Sequence, residues 1–191
     1  MEHSSGKKIK TCIFISGRGS NLKAIIKNSR KRNFPAKITL IISNKLNAKG
    51  LNYAKKNKIP YKVYNFKNNK IFEKKSLFQL KKRKIELLCL AGFMKILSSS
   101  FIKKFKYKII NIHPSLLPKY KGFNTHKRVL EKKEKYSGCT VHYVTSKLDS
   151  GKIILQKKVK IKKGESENSL KKRILKQEHF LYSRAIKVIL K

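Results

Sequence analysis

Asn111, His113 and Asp149 are the residues of this chain whose types and spacing best suit chemistry. The first two lie in Asn111-Ile112-His113-Pro114-Ser115-Leu116-Leu117-Pro118, directly after the apolar pair Ile109-Ile110, so they fall at the end of a buried strand. Two positions apart on a strand, their side chains leave the same side. An amide donor beside an imidazole can stabilise an oxyanion and move a proton. Asp149, in Leu148-Asp149-Ser150-Gly151, supplies a carboxylate able to orient that imidazole or raise its pKa. Ser115 lacks a base and an orienting group, so it shapes the strand exit and does not act as a nucleophile. The set reads as acyl-group chemistry without a protein nucleophile. A second feature is Ser16-Gly17-Arg18-Gly19-Ser20-Asn21. Its glycines allow a tight turn close to an oxyanion, and the N–H groups of a helix starting there bind phosphate. Position 22 is Leu, so this is not the dinucleotide fingerprint. His126 and His142 are candidates for the surroundings of the site. His142 alternates with Val141 and Tyr143 and fits a half-buried strand equally well. No pair of histidines has zinc spacing with an acid, so no metal is expected.

The elements that must position these residues follow from apolar periodicity. Short apolar runs at 9–16, 37–43, 61–64, 86–91 and 108–112 read as strands. Helical spacing marks 21–28, 50–57, 70–83 and 97–105, with Ile71, Leu77, Phe78 and Leu80 expected on the apolar side of the third. This alternation implies an α/β domain with parallel strands joined by right-handed crossovers. Further along, 138–144 and 153–161 alternate in polarity and read as an antiparallel pair. Residues 120–125 continue as a loop, and 164–168 form a polar turn. Residues 169–190, with Leu170, Ile174, Glu178, Leu181, Ala185 and Ile189 at helical spacing, form a long terminal helix. Residues 1–8 read as a disordered leader and 9–191 as a single domain.

The chain has 191 residues, 40% of them hydrophobic, enough for one domain with a sizeable core. It has no run of eighteen apolar residues and no apolar signal core, so a cytoplasmic location is expected. The three cysteines, Cys12, Cys89 and Cys139, are scattered among apolar residues and read as buried and unreactive. Fifty Lys+Arg against nine Asp+Glu give a net charge of +41. Clustered, such charge would point to nucleic acid. Here it is mostly Lys, spread along the whole chain, and Ile and Asn are abundant as well. Drift toward A/T-rich codons on exposed positions explains it more simply, and the charge still attracts anionic substrates.

The motifs together resemble the phosphoribosylglycinamide formyltransferases of purine synthesis. The resemblance is carried by Ser16-Gly17-Arg18-Gly19-Ser20-Asn21-Leu22, Leu90-Ala91-Gly92-Phe93-Met94-Lys95-Ile96-Leu97-Ser98, Asn111 to Tyr120, Leu148 to Gly151 and Gln177-Glu178-His179. It implies a Rossmann-like formyltransferase fold: a mostly parallel central sheet, helices on both faces and an antiparallel C-terminal part. It also implies 10-formyltetrahydrofolate as co-substrate. A phosphate-binding N-terminal half would hold the ribonucleotide through Gly19, Ser20 and Asn21, with Glu178 as a further contact. Folate would be held by Lys70, Met94, Lys95, Ile96 and Leu97, by Asn111, and by the loop Thr145, Ser146, Lys147, Leu148 and Asp149. Asn111, His113 and Asp149 would be catalytic. Lys95 stands where Arg is common, and Lys121 where Pro is common. The implied partners are small molecules, with no specific nucleic acid and no membrane, for a monomer or weak homodimer.

Two other folate formyl enzymes share parts of this pattern. A methionyl-tRNA formyltransferase is expected to carry a further C-terminal domain, and a formyltetrahydrofolate deformylase an N-terminal regulatory one. A basic nucleic-acid-binding protein is the reading from another class; it would cluster Arg and aromatics on one face, against the even scatter of Lys seen here.

Overall fold

The computed structural model describes residues 7–65 and 68–191. Strands β1 (Ile9–Ile15), β2 (Ala36–Ser43), β3 (Tyr61–Val63), β4 (Leu87–Leu90), β5 (Lys108–His113), β6 (Tyr136–Tyr143) and β7 (Ile153–Lys160) form one sheet in the order β3-β2-β1-β4-β5-β6-β7. The first five pair in parallel, while β6 and β7 are antiparallel to their neighbours. The helices described are α1 (Ser20–Ser29), α2 (Leu51–Lys56), α3 (Asn69–Lys82), α4 (Ser99–Phe105), α5 (Thr125–Glu131) and α6 (Glu167–Ile189).

The near-continuous apolar strands are explained by burial on both faces. Ile13 and Ile15 of β1 join Leu22 and Ile25 of α1, Leu51 of α2 and Leu170 and Ile174 of α6 in one core. Cys12 and Phe14, alternating with them along β1, join Phe72 and Leu80 of α3 and Phe101 and Phe105 of α4 in the other. In β5, Ile110 and Ile112 face the first core and Ile109 the second. Asn111 and His113 therefore leave the sheet on the α3–α4 side, as period two requires. Burial of all three thiols is as expected; it pushes the Cys139 thiol up to about 12.

The strand order places a reversal between β1 and β4, whose carboxyl ends open a crevice. The loops after these strands are tied together there. Ser16 N–H donates to the Gly92 carbonyl at 3.1 Å, and Ser16 Oγ accepts from Met94 N–H at 2.8 Å. From below, the buried Tyr182 hydroxyl of α6 reaches the carbonyls of Leu90 at 3.0 Å and Ile110 at 3.1 Å, bracing the ends of β4 and β5. Phe93 packs in the core as a stacked partner of Phe72, with ring centroids 5.6 Å apart.

Several local readings are corrected. The buried side of α3 is Phe72, Glu73, Ser76 and Leu80, whereas Ile71 and Phe78 are exposed. The helix is rotated because Glu73 is drawn inward. Its carboxylate accepts from Ser98 N–H at 2.7 Å and Ser98 Oγ at 2.6 Å, at the start of α4. The expected loop ends in α5, a helix the periodicity did not mark. α6 begins at Glu167, two residues early, because Ser166 caps it by accepting from Ser169 N–H at 3.3 Å. The expected leader falls mainly on residues 1–6, outside the described residues. Among the described residues no helix is long and apolar enough to cross a membrane.

Candidate active site

The antiparallel turn of the sheet at β6 brings the site together. Register places His142 directly opposite Asn111 and Thr140 opposite His113. The chain then leaves β6 through a tight turn. Ser150 Oγ donates to the Lys147 carbonyl at 2.9 Å, and Thr145 Oγ1 lies 3.1 Å from Ser150 Oγ. The turn closes on Gly151, where any side chain would collide with the Tyr143 carbonyl. This geometry holds Asp149 at φ 44° with its carboxylate turned back over β5.

Asp149 Oδ2 lies 3.2 Å from His113 Nδ1, and Oδ1 lies 3.7 Å from His142 Nε2. Oδ2 also accepts the Gly122 N–H at 3.0 Å. Burial pushes the Asp149 carboxyl up, but the hydrogen bonds from His142 and Gly122 and the two imidazoles outweigh it and hold it below its ordinary value. His113 Nε2 contacts the Tyr120 carbonyl at 2.8 Å. Both nitrogens of His113 thus face acceptors, and the imidazolium is the form that makes both contacts hydrogen bonds. Burial holds the His113 pKa below its ordinary value, and the Tyr120 carbonyl and Asp149 offset this only in part. Asn111 Nδ2 lies 3.4 Å from His142 Nε2, and Asn111 lines the cavity, where its amide can donate. His142 Nδ1 donates to the Tyr143 carbonyl at 2.8 Å, which fixes its ring.

These groups line a cavity of about 370 Å³. Of the sequence-predicted residues it brings together Asn111, His113 and Asp149 with Met94, Lys95, Ile96 and Leu97 on one wall and Thr145, Lys147 and Leu148 on another. His126 and His142 also line it. Burial lowers the His126 pKa, and the Lys171 ammonium lowers it further. Sequence reasoning missed Gly92, Val144, Glu167 and Lys171 as lining residues; the last two lie on α6 where it abuts α5, and Glu167 belongs to the helix only because α6 starts early. Exposed Lys70 and Ser146 lie outside the lining, as do Gly19, Ser20, Asn21 and Glu178. Among the described residues no three His, Cys, Asp or Glu side chains are grouped to hold a metal ion.

The ribonucleotide candidates form a separate cluster at the start of α1. Asn21 Nδ2 donates to Glu178 Oε2 of α6 at 2.7 Å, and both residues are buried. Burial pushes the Glu178 carboxyl up to about 7, partly offset by the Asn21 hydrogen bond. Gly19 has φ 74°, and a Cβ there would lie 2.6 Å from the Gly50 Cα, whereas a Cβ at Gly17 meets nothing. Gly19→Ala is therefore expected to cost about 1–3 kcal/mol through left-handed strain and backbone collision. Gly17→Ala is expected to melt within about 1 °C of wild type, being within the usual surface range. Thermal melts of the two variants check this, and equal melting temperatures would remove the close approach of α1 and α2.

Comparison with known proteins points one way. A sequence profile described as formyl transferase matches residues 9–186. Phosphoribosylglycinamide formyltransferase of Haemophilus influenzae is 42% identical over 93% of this chain and 85% of its own. The human trifunctional purine biosynthetic protein adenosine-3 is 41% identical over 96% of this chain, which spans only 18% of that larger protein. The crystal structure of phosphoribosylglycinamide formyltransferase from Brucella melitensis superposes with a TM-score of 0.92 at 40% identity, covering 96% of each chain. With its strand order, this profile match and these relatives, the chain belongs to the formyl transferase family.

Proposed function

We propose that the protein transfers the formyl group of 10-formyltetrahydrofolate to the primary amine of N1-(5-phospho-D-ribosyl)glycinamide in purine synthesis. The products are the N2-formyl ribonucleotide and tetrahydrofolate. The observation that carries the reading is the convergence of Asn111, His113 and Asp149 on one cavity walled by Met94, Ile96 and Leu97. A fused heteroaromatic needs such apolar walls with a few fixed polar partners.

The amine attacks the formyl carbon, and a tetrahedral intermediate carries an oxyanion. Asn111 donates an amide N–H to that oxygen. His113, whose burial favours the neutral ring at rest, becomes imidazolium on receiving the amine's proton through Asp149 and sets a positive charge beside the oxyanion. Asp149 draws the proton from the attacking nitrogen, directly or through water, and His113 returns one to the departing folate nitrogen. A nitrogen–carbon bond forms, another breaks, and the proton count balances. The amine is itself the nucleophile, so no covalent enzyme intermediate is needed.

Gly19, Ser20 and Asn21 hold the phosphate at the start of α1, where first-turn N–H groups have no intrahelical acceptor. Glu178 contacts the sugar side of the same substrate. Folate lies along Met94 to Leu97 and Thr145 to Asp149, with Lys70 as a further contact. The enzyme acts in the cytoplasm on small molecules, as a monomer or weak homodimer.

The test is a formyl-transfer assay on the purified chain with three acceptors: glycinamide ribonucleotide, water and charged initiator tRNA. Transfer to the ribonucleotide is expected to exceed the other two by at least about a hundredfold, the discrimination a polar site achieves when its partners are left unpaired. Faster transfer to water or tRNA would replace this reading by a deformylase or a tRNA formyltransferase.

A further inference from the structure

His113 and Asp149 are each held by a backbone group of the segment between β5 and α5. The Tyr120 carbonyl takes His113 Nε2 at 2.8 Å, and the Gly122 N–H goes to Asp149 Oδ2 at 3.0 Å. This segment has no sheet or helix ladder of its own. Tyr120 (φ 57°), Gly122 (φ 79°) and Asn124 (φ 55°) all sit in the left-handed region. Non-glycine residues stay there only where their surroundings hold them.

What holds them lies outside the cavity. Arg128, exposed on α5, donates from Nη1 to the Lys121 carbonyl at 2.7 Å and reaches the Phe123 carbonyl at 3.4 Å. Its guanidinium lies over the Tyr120 ring, 5.4 Å from the centroid. On the other side the Tyr120 hydroxyl donates to Glu134 Oε1 at 2.9 Å, and the same oxygen accepts from Lys119 Nζ at 3.1 Å. One nitrogen, Nη1, serves both carbonyls while the planar guanidinium lies over the ring, and a Lys ammonium has no planar group to place there.

We propose that Arg128, assisted by Glu134, is a positioning residue: it fixes the Tyr120–Phe123 backbone and thereby the ring of His113 and the carboxylate of Asp149. The proposal rests on the reading of those two residues as the catalytic pair. Neither Arg128 nor Glu134 lines the cavity, so neither is placed to touch substrate.

The rival is that Arg128 acts only as a charge. The groups acting on His113 are Asp149, His142, His126 and Arg128, besides the Tyr120 carbonyl. Arg128 by its charge lowers the His113 pKa, whereas the Tyr120 carbonyl raises it. The two roles therefore have opposite signs. Arg128→Lys keeps the charge and loses the planar guanidinium; Arg128→Gln loses both.

The experiment titrates the His113 ring by NMR in wild type, Arg128→Lys, Arg128→Gln and Tyr120→Phe, and measures kcat and KM of each for formyl transfer. Positioning predicts that the His113 titration moves to lower pH in Arg128→Lys. It also predicts a fall in kcat of about tenfold with both KM values within about twofold, since misplacement of a reacting group costs turnover more than binding. Tyr120→Phe, which keeps the ring and loses only the Glu134 link, should move both readouts the same way by less, about threefold in kcat. An unchanged titration in Arg128→Lys, with an upward move in Arg128→Gln, would leave only the charge and overturn the proposal. The titration needs no substrate. A His113 shift in a protein without formyl transfer would sustain the positioning and remove the functional reading instead.

Discussion

Replacing His113 by Ala is expected to lower turnover at least about a hundredfold, because one preorganised transition-state partner of this kind is worth about 2.7–4 kcal/mol. Asn111→Ala and Asp149→Ala should fall in the same range. The three are not independent. Asp149 touches His113 and the Gly122 N–H, and Asn111 shares His142 with Asp149. Groups acting as a unit are lost together, so His113→Ala combined with Asp149→Ala should be little slower than either alone. KM for the ribonucleotide should change less than kcat, because its phosphate is assigned to the start of α1, away from this end. Steady-state kinetics of the single and double variants decide the matter. Near-normal turnover in His113→Ala would sink the mechanism. Multiplicative losses in the double variant would show that the two groups work separately.

The strands around this site were legible because the pattern was dense. Ile109 to Ile112 is apolar at every position but one, and that exception, Asn111, marks the strand as more than core. Period two then sends Asn111 and His113 to one side, as observed. Legibility stops where a residue's environment comes from elsewhere in the chain. α3 was read in the wrong orientation because Glu73 and Ser76 are polar yet buried, and only the contact with Ser98 explains Glu73. α5 went unseen because its inward residues include Thr125 and His126 beside Val129, which gives no apolar stripe. The approach of His142 to Asn111 depends on antiparallel register, which alternation alone does not set. The contacts of Tyr120 and Gly122 with His113 and Asp149 are made by backbone atoms in left-handed conformations, which side-chain identity does not report. Gly151 belongs to a motif legible in the sequence, but its physical reason, the Tyr143 carbonyl standing where a Cβ would be, needs the fold.

Glu178→Gln should stabilise the protein at neutral and higher pH while weakening the ribonucleotide. The Glu178 carboxyl is 7% exposed and, pushed up by burial, titrates near 7 against an ordinary 4.5. The native state keeps this proton to higher pH than the unfolded chain does. Between about 4.5 and 7 the unfolded state therefore binds fewer protons, and stability falls as pH rises through that window. The loss is absent below the unfolded value and complete above the folded one; fully expressed, it is on the order of 3 kcal/mol. Gln resembles the protonated acid. It still accepts from Asn21 Nδ2, and its own amide can donate to Asn21 Oδ1, a buried oxygen left without a partner. Melting at pH 8 should rise by roughly 6–12 °C, given about 2–4 °C per kcal/mol for a chain of this size, and the gain should vanish near pH 4. The cost appears in binding, because Gln cannot offer the charged acceptor that the sugar hydroxyls are proposed to meet. Melting series of both proteins from pH 4 to 8, with ribonucleotide titrations at pH 8, measure the two effects together. A variant less stable than wild type at pH 8 would mean that the buried carboxylate is satisfied as an anion. Unchanged ribonucleotide affinity would reduce Glu178 to a structural partner of Asn21.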